Sequence, residues 1–526
     1  PGIQRIVGGL DPQGRPNGGV ELALDSVLRG DSVTAAVAHD VKGRRLDSPE
    51  SWERVPRPGS SVTLTINRDL QDICERALAH AVDSLRASGG DIVVMNPNTG
   101  DVLAMASTRV GKKSFSVTAV TEPFEPGSTM KPFIAAALLD RKRARIDEVM
   151  DTHNGQLVLD GRTITDLHKA ASMPLSDVIR YSSNIGIVQF GMRLTPREKY
   201  ETLRDLGLGM ATGVPLPGES DGLLREPKRW SKQSPASLSM GYELSVTPLQ
   251  LVTAYAALAN GGELVQPQVI KEIRGPDGEV IYQAKRRVLR RVFSERVADD
   301  VRDLLRSVVD SGTAVKADLA AFEVAGKSGT ARRTETGKGY VQGEYTASFV
   351  GVFPANKPQY VVLVKLDSPK GSIYGGEVAA PVTSVVLRAA IAARDAALDR
   401  SQLASVERDV PLTKAAEEKR KASTSDTAPS TSEGEAASAS PTESPAEPTE
   451  QLPRLIALPY TRPRTQADNS LRPVPDVRGL NLRNAVRALH RAGFRVTLAT
   501  AQALPTIPVA GTLLPAGSVV KLQHIP

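Results

Sequence analysis

One cysteine in 526 residues, Cys74, leaves no partner for an intrachain disulfide. It falls on the stripe Leu70, Ile73, Cys74, Ala77, Leu78, Ala81, Val82 and Leu85, which has the period of a helix, so it reads as a small core residue. The six histidines (His39, His80, His153, His168, His490, His524) show neither an H-E-x-x-H pair nor Cys–His ligand spacing, and no metal or other cofactor is expected. No uninterrupted apolar run reaches the ~18 residues of a membrane-spanning helix. Aromatics make up only 4% of the chain, and its 66 Lys and Arg are dispersed among 59 Asp and Glu. Without a basic stripe interleaved with aromatics, nucleic acid is excluded as a partner. A net charge of +7 suits work near anionic polymers and lipids, and equally an ordinary solvated surface. Between Thr413 and Gln451 there is no Val, Ile, Leu, Met, Phe, Tyr or Trp. Such a segment cannot bury enough apolar surface to fold, and as a flexible linker it would span roughly 35 Å.

Three short strings are present in a fixed order: Ser128-Thr129-Met130-Lys131, Ser182-Ser183-Asn184 and Lys327-Ser328-Gly329-Thr330. Together they supply what acyl transfer needs. Residues i and i+3 share a helix face, so Ser128 and Lys131 can bring Oγ and Nζ within hydrogen-bond reach. A serine hydroxyl is a poor nucleophile until its proton is taken. Lys131 can take it only when neutral, which requires desolvation and a second cation nearby; Lys327 is the obvious one. Asn184 offers a donor and an acceptor for a substrate amide, and Ser182 can relay a proton to a leaving amine. Gly329 lets a strand backbone approach the substrate, and the N–H groups of Ser128 and Thr330 are the natural oxyanion donors.

Each string alone is weak, since about two S-x-x-K matches are expected by chance in a chain this long. A lone Ser-Ser-Asn is more often a turn or cap, and a lone Lys-Ser-Gly a surface loop. Context adds weight. Glu125-Pro126-Gly127 is a turn opening a helix with the stripe Met130, Phe133, Ile134, Ala137 and Leu138, and Pro132 sits early enough to be tolerated with a distorted first turn. Ser182–Asn184 lies between two helical stretches, the first capped by Ser176 and the second running through Ile185, Val188 and Phe190. Lys327 follows Phe322–Gly326, which reads as a strand. Thr247-Pro248-Leu249-Gln250 reads as a helix start with Leu251, Ala254, Tyr255 and Leu258 on the core face.

The trio is a known signature of penicillin-binding proteins and class A β-lactamases. The segments EPGSTMKPF (125–133), SMGYELSVTPLQLVTAYAALANGG (239–262), AGKSGTA (325–331), ASFVGVFP (347–354) and YGGEVAAPV (374–382) resemble class B penicillin-binding proteins, the D,D-transpeptidases that cross-link peptidoglycan. Met240-Gly241-Tyr242 followed by Ser245-Val246-Thr247-Pro248 is more similar to the division, or septal, branch. The resemblance runs from about Gly19 to Arg394 and resumes in a C-terminal segment similar to a PASTA module.

The resemblance implies an α/β penicillin-binding transpeptidase fold, serine β-lactamase-like, with three layers and a helical subdomain, plus a small α+β PASTA domain. The expected organisation is a remnant of the N-terminal pedestal at 1–60, a transpeptidase domain at 61–399, an Ala/Ser/Pro/Glu-rich linker at 400–470 and PASTA at 471–526. Strands are expected at Ser61–Ile66, in hairpins Ile92–Met95 with Val102–Met105 and Ser348–Phe353 with Tyr360–Leu366, and a closing helix at Val378–Leu398. The middle, Pro126–Gly312, reads as mostly helical. In the PASTA segment Asn481 is an N-cap, Leu482, Ala485, Val486 and Leu489 a helix stripe, Gly493 a C-terminal cap and Phe494–Leu498 a strand. Within the family reading, Ser128, Lys131, Ser182, Asn184 and Lys327 are catalytic and Ser328, Gly329 and Thr330 bind substrate. The implied partners are D-Ala-D-Ala stem peptides of peptidoglycan, β-lactams, a SEDS-type glycosyltransferase and divisome proteins. The implied location is the outer face of the cytoplasmic membrane, by an N-terminal anchor not found in this chain. Two alternatives stay open: a serine β-lactamase or D,D-carboxypeptidase, and a non-catalytic penicillin-binding sensor or scaffold.

Overall fold

The computed structural model describes residues 2–30, 41–42, 58–111, 116–335, 339–408, 471–478, 485, 488–489, 492, 494–498, 506–515 and 518–522. The chain divides into two compact units, 1–459 and 460–526.

The elements that position the site in the first unit are α1 (Arg68–Ser84), β1 (Gly89–Met95), β2 (Val102–Arg109), α2 (Lys131–Asp140), α3 (Leu175–Arg180), α4 (Asn184–Gly191), α5 (Pro248–Ala259), α6 (Glu295–Ser311), β3 (Ala325–Glu335), β4 (Gly339–Phe353), β5 (Tyr360–Asp367) and α7 (Gly375–Ala392). The five strands form one antiparallel sheet in the order β3-β4-β5-β1-β2, drawn from both ends of the unit. Both faces are covered, so Ile92–Met95 of β1 and Tyr360–Val364 of β5 are continuous apolar runs instead of alternating ones. Alternate residues nonetheless go to different cores. Ile92, Val94, Val362, Val364 and Leu366 pack with Leu70, Cys74 and Leu78 of α1 and with Val386 and Leu387 of α7. Val93, Met95, Val350, Val361 and Leu363 pack with Leu249, Val252 and Tyr255 of α5. Helices, sheet and helix make the three layers. Burial pushes the Cys74 thiol up from its ordinary value, as befits a core residue.

Several boundaries differ from expectation. The strand at Ser61–Ile66 is Ser61–Leu64, and it pairs with Ile270–Arg274 in a separate three-stranded sheet. The middle is less helical than expected: Gln156–Leu159 and Arg162–Thr165 form a two-residue hairpin at Asp160-Gly161, both with positive φ, the geometry that favours Asp-Gly. Phe322 does not begin a strand. It turns back on Leu319 and packs edge-on against Phe353, so β3 starts at Ala325 and the Lys-Ser-Gly-Thr string lies within it. Ser176 does not cap α3, because the N–H groups of Leu175 and Ser176 already donate to the carbonyls of Glu148 and Ile146 at 3.1 Å each. α7 spans Gly375–Ala392, longer at the front and shorter at the back than Val378–Leu398; beyond it the backbone carbonyls of Asp395 and Ala396 are taken by Asn67 and Tyr360. α7 is long and apolar enough by composition to cross a membrane, yet Val378, Ala379, Val386, Leu387 and Ala390 sit in the core.

The first unit also runs past the boundary expected at 399. A short helix, Arg400–Ala404, buries Leu403 in the main core, and Arg408 faces Asp310, Asp318 and Glu323. At the other end, Ile6, Val20 and Leu24 of the expected pedestal remnant are buried in the same core as the α5 face of the sheet.

In the second unit, Leu471–Pro473 pairs with Leu513–Pro515, and Arg495–Leu498, Val519–Leu522 and Thr506–Ile507 form a three-stranded sheet. Val474, Val477, Ala485, Leu489, Phe494 and Val520 make its core. Asn481, Leu482, Val486 and Gly493, and the linker beyond Arg408, lie outside the described residues.

Candidate active site

Glu125-Pro126-Gly127 turns tightly: Gly127 has φ +56° and its N–H donates to the Gly241 carbonyl at 3.0 Å. Gly241, itself at φ +86°, could carry no side chain there, because a Cβ would lie 2.0 Å from the Gly127 oxygen. Ser128 follows on a 3₁₀ turn, Gly127–Met130, that leads into α2 at Lys131 with Pro132 in its first turn. The distortion expected from the proline is thus a 3₁₀ entry. Thr129 fixes the turn, its hydroxyl donating to the Pro126 carbonyl at 2.8 Å and its carbonyl accepting from the Tyr255 hydroxyl at 2.7 Å. Ser128 is half-buried between buried neighbours, poised at a helix N-terminus whose dipole favours developing negative charge.

Lys131 is fully buried, and its Nζ donates to the Ser182 carbonyl at 2.5 Å, the Ser182 Oγ at 3.1 Å and the Asn184 Oδ1 at 2.8 Å. Three acceptors match the three donors of an ammonium. Burial pulls the group down to about 7, with Asp166 pulling it back up. Lys327, also fully buried, is held well below the usual lysine value by burial and by repulsion from Lys131. Two lysines crowd one dry site, and this favours a single charge between them. The sequence reading named desolvation together with a second cation; at Lys131 burial is the largest cause.

β3 runs against the Ser128 turn. A Cβ on Gly329 would lie 2.6 Å from Ser348 Oγ, 2.8 Å from Thr129 Cγ2 and 2.9 Å from the Pro126 carbonyl, so only glycine allows this approach. In the ladder Lys327, Ser328, Gly329 and Thr330 face Val350, Phe349, Ser348 and Ala347 of β4. Ser328 shares a 2.8 Å hydrogen bond with Thr313, and the Thr330 hydroxyl accepts from the Gly375 N–H at 3.3 Å. All three strings are therefore assembled: the first touches the second through Lys131, and the third through Gly329.

The sequence reading missed Asp166. It lies just past the Asp160-Gly161 hairpin, is 7% exposed, and accepts from the Ser183 hydroxyl and the Asn184 N–H at 2.5 Å each and from the Ile185 N–H at 3.2 Å. The neighbouring Thr165 carbonyl accepts from the Asn184 side-chain amide at 2.9 Å. Ile164 and Asp166 share the inward phase of the strand, which was the available signal. Among the described residues no three His, Cys, Asp or Glu side chains converge as a metal site.

The chain matches the penicillin binding protein transpeptidase domain over residues 90–388 and the PASTA domain over 473–523. A Neisseria meningitidis protein named probable peptidoglycan D,D-transpeptidase PenA is 32% identical over 388 residues, covering 72% of this chain and 64% of its own. Penicillin-binding protein PbpB of Mycobacterium tuberculosis is 35% identical over 401 residues, covering 72% and 58%. Penicillin binding protein 3 from Mycobacterium tuberculosis, solved in complex with ampicillin, superposes with a TM-score of 0.65 at 33% identity, over 73% of this chain and 86% of that one. The chain thus spans about two thirds or less of the length of these curated relatives.

Proposed function

The chain belongs to the penicillin-binding protein transpeptidase family, in its class B branch with a PASTA domain, and from that premise we propose that it is a serine-type D,D-transpeptidase that cross-links peptidoglycan stem peptides. Neutral Lys131 takes the Ser128 hydroxyl proton while Oγ bonds to the carbonyl carbon of the penultimate D-Ala. The oxyanion is held by the N–H groups of Ser128 and Thr330. The C–N bond then breaks, and the terminal D-Ala leaves as an amine with a proton delivered from Lys131 through Ser182. An acceptor amine on a second stem attacks the ester and frees Ser128. Thr330, with Ser328 and Lys327, receives the terminal carboxylate, and Asn184 orients the donor stem's amide.

The observation that carries this reading is the buried Lys131, at about 7, bonded at once to Ser182 and Asn184. That is the protonation range a general base needs near neutral pH. β-Lactams mimic the dipeptide and acylate the same serine, so mapping a penicillin label tests the assignment. The proposed organisation keeps the order pedestal remnant, catalytic domain, linker and PASTA, and burial of Leu403 supports carrying the catalytic domain on to Arg408. The division-type role, the extracytoplasmic membrane location and the SEDS-type and divisome partners complete the proposal; the stretches Met240–Tyr242 and Ser245–Pro248 support the septal branch.

A further inference from the structure

Ser182 has φ +60°, a left-handed conformation that is uncommon and costly for a residue with a side chain. Something must hold it there, since its carbonyl and hydroxyl both face Lys131. Its own turn supplies two backbone bonds, Ser182 N–H to Ile179 at 3.3 Å and Ser183 N–H to Val178 at 2.9 Å. Three further hydrogen bonds converge on one carboxylate. Asp166 takes the first two free N–H groups of α4 and the Ser183 hydroxyl, and Ser183 Oγ takes the third, Gly186, at 2.9 Å. Thr165 holds the Asn184 amide so that Oδ1 faces the Lys131 ammonium.

We infer that Asp166 is a positioning residue that locks the Ser182–Asn184 turn and balances the charge beside Lys131. The inference rests on the transpeptidase reading of the site. The charge that shifts Lys131 is Asp166, at the end of the 156–165 hairpin; Lys131 in turn repels Lys327, on β3, while Ser182 and Asn184 are neutral. Burial and Asp166 act in opposite directions on the Lys131 ammonium. Removing the carboxylate charge therefore leaves Lys131 easier to deprotonate, while loosening the turn removes the acceptors that align it.

The test is the second-order rate of penicillin acylation against pH for the wild type, Asp166→Asn, Asp166→Glu and Ser183→Ala, with circular dichroism to confirm folding. Asp166→Asn is expected to lower the plateau rate by about 10²-fold, the usual effect of a misplaced catalytic group, and to move the acid limb to lower pH by about one unit. Ser183→Ala removes one strut but keeps the charge, so its rate falls with the limb unmoved. Should Asp166→Asn fail to fold, Asp166→Glu decides: it keeps the charge, so its limb stays in place while its rate drops. Wild-type rates in these variants, or lost rate with an unmoved limb in folded Asp166→Asn, overturn the inference, as does a limb displaced in Asp166→Glu. A wild type that penicillin does not acylate at Ser128 sinks the functional reading instead, so the two failures are distinguishable.

Discussion

Lys131 and Asn184, distant in sequence, meet in a 2.8 Å hydrogen bond from Nζ to Oδ1. Through it the first and second strings act as one unit, so the protonation of the lysine and the seating of the α4 N-terminus are coupled.

The coupling sets a pH dependence. With Lys131 at about 7, only the neutral fraction can accept the Ser128 proton. The group is charged below that value and neutral above it. The acylation rate is therefore expected to fall about tenfold per pH unit below the limb and to level off above it. Lys131→Ala should abolish the limb along with most of the rate while the protein stays folded. Normal acylation by this variant would show that another base operates.

A second expectation concerns the approach of β3 to the nucleophile turn. Gly329→Ala places a methyl against Ser348, Thr129 and the Pro126 carbonyl, all closer than 3 Å. Overpacking of this kind costs about 1–3 kcal/mol, and here the displacement falls on the oxyanion donors. Thermal melts should show a modest loss and acylation a drop of at least about tenfold. Unchanged acylation would mean that the strand does not set the oxyanion geometry.

The end of the catalytic unit can be tested by truncation. Cutting after Arg408 should leave melting temperature and acylation as they are. Cutting after Asp399 removes Leu403, which is 4% exposed, together with the Arg408 contacts to Asp310, Asp318 and Glu323. Loss of such a core leucine costs about 2–5 kcal/mol, so the shorter form should melt earlier. Equal melting of the two forms would place the boundary at 399 after all.

Much of this was legible in the chain. The hairpins at Ile92–Met95 with Val102–Met105 and Ser348–Phe353 with Tyr360–Leu366 were read from the chain, and the strings named Lys131, Ser182 and Asn184, which hydrogen-bond together. Local rules failed where tertiary partners intervened. Ser176 looked like a cap until the carbonyls of Ile146 and Glu148 took its role, and Phe322 looked like a strand residue until it packed on Phe353. Asp166 was hidden for another reason. It belongs to no motif, and its partners Ser183, Asn184 and Ile185 are reached only because Asp160-Gly161 folds a hairpin back toward α4, a turn signal that the helical reading of 126–312 passed over.

Ser128 is expected to form an acyl-enzyme that water resolves slowly. A fluorescent penicillin incubated with the protein, followed by peptide mapping and a time course of intact mass and penicillin consumption, tests it most directly. One label per chain is expected, on Ser128 and absent from Ser128→Ala, after a single stoichiometric burst. The adduct should last minutes or more, because a deacylation ~10⁴-fold slower than acylation needs a barrier only ~5.4 kcal/mol higher. A label on another serine, or sustained hydrolysis with many turnovers per second, would contradict it.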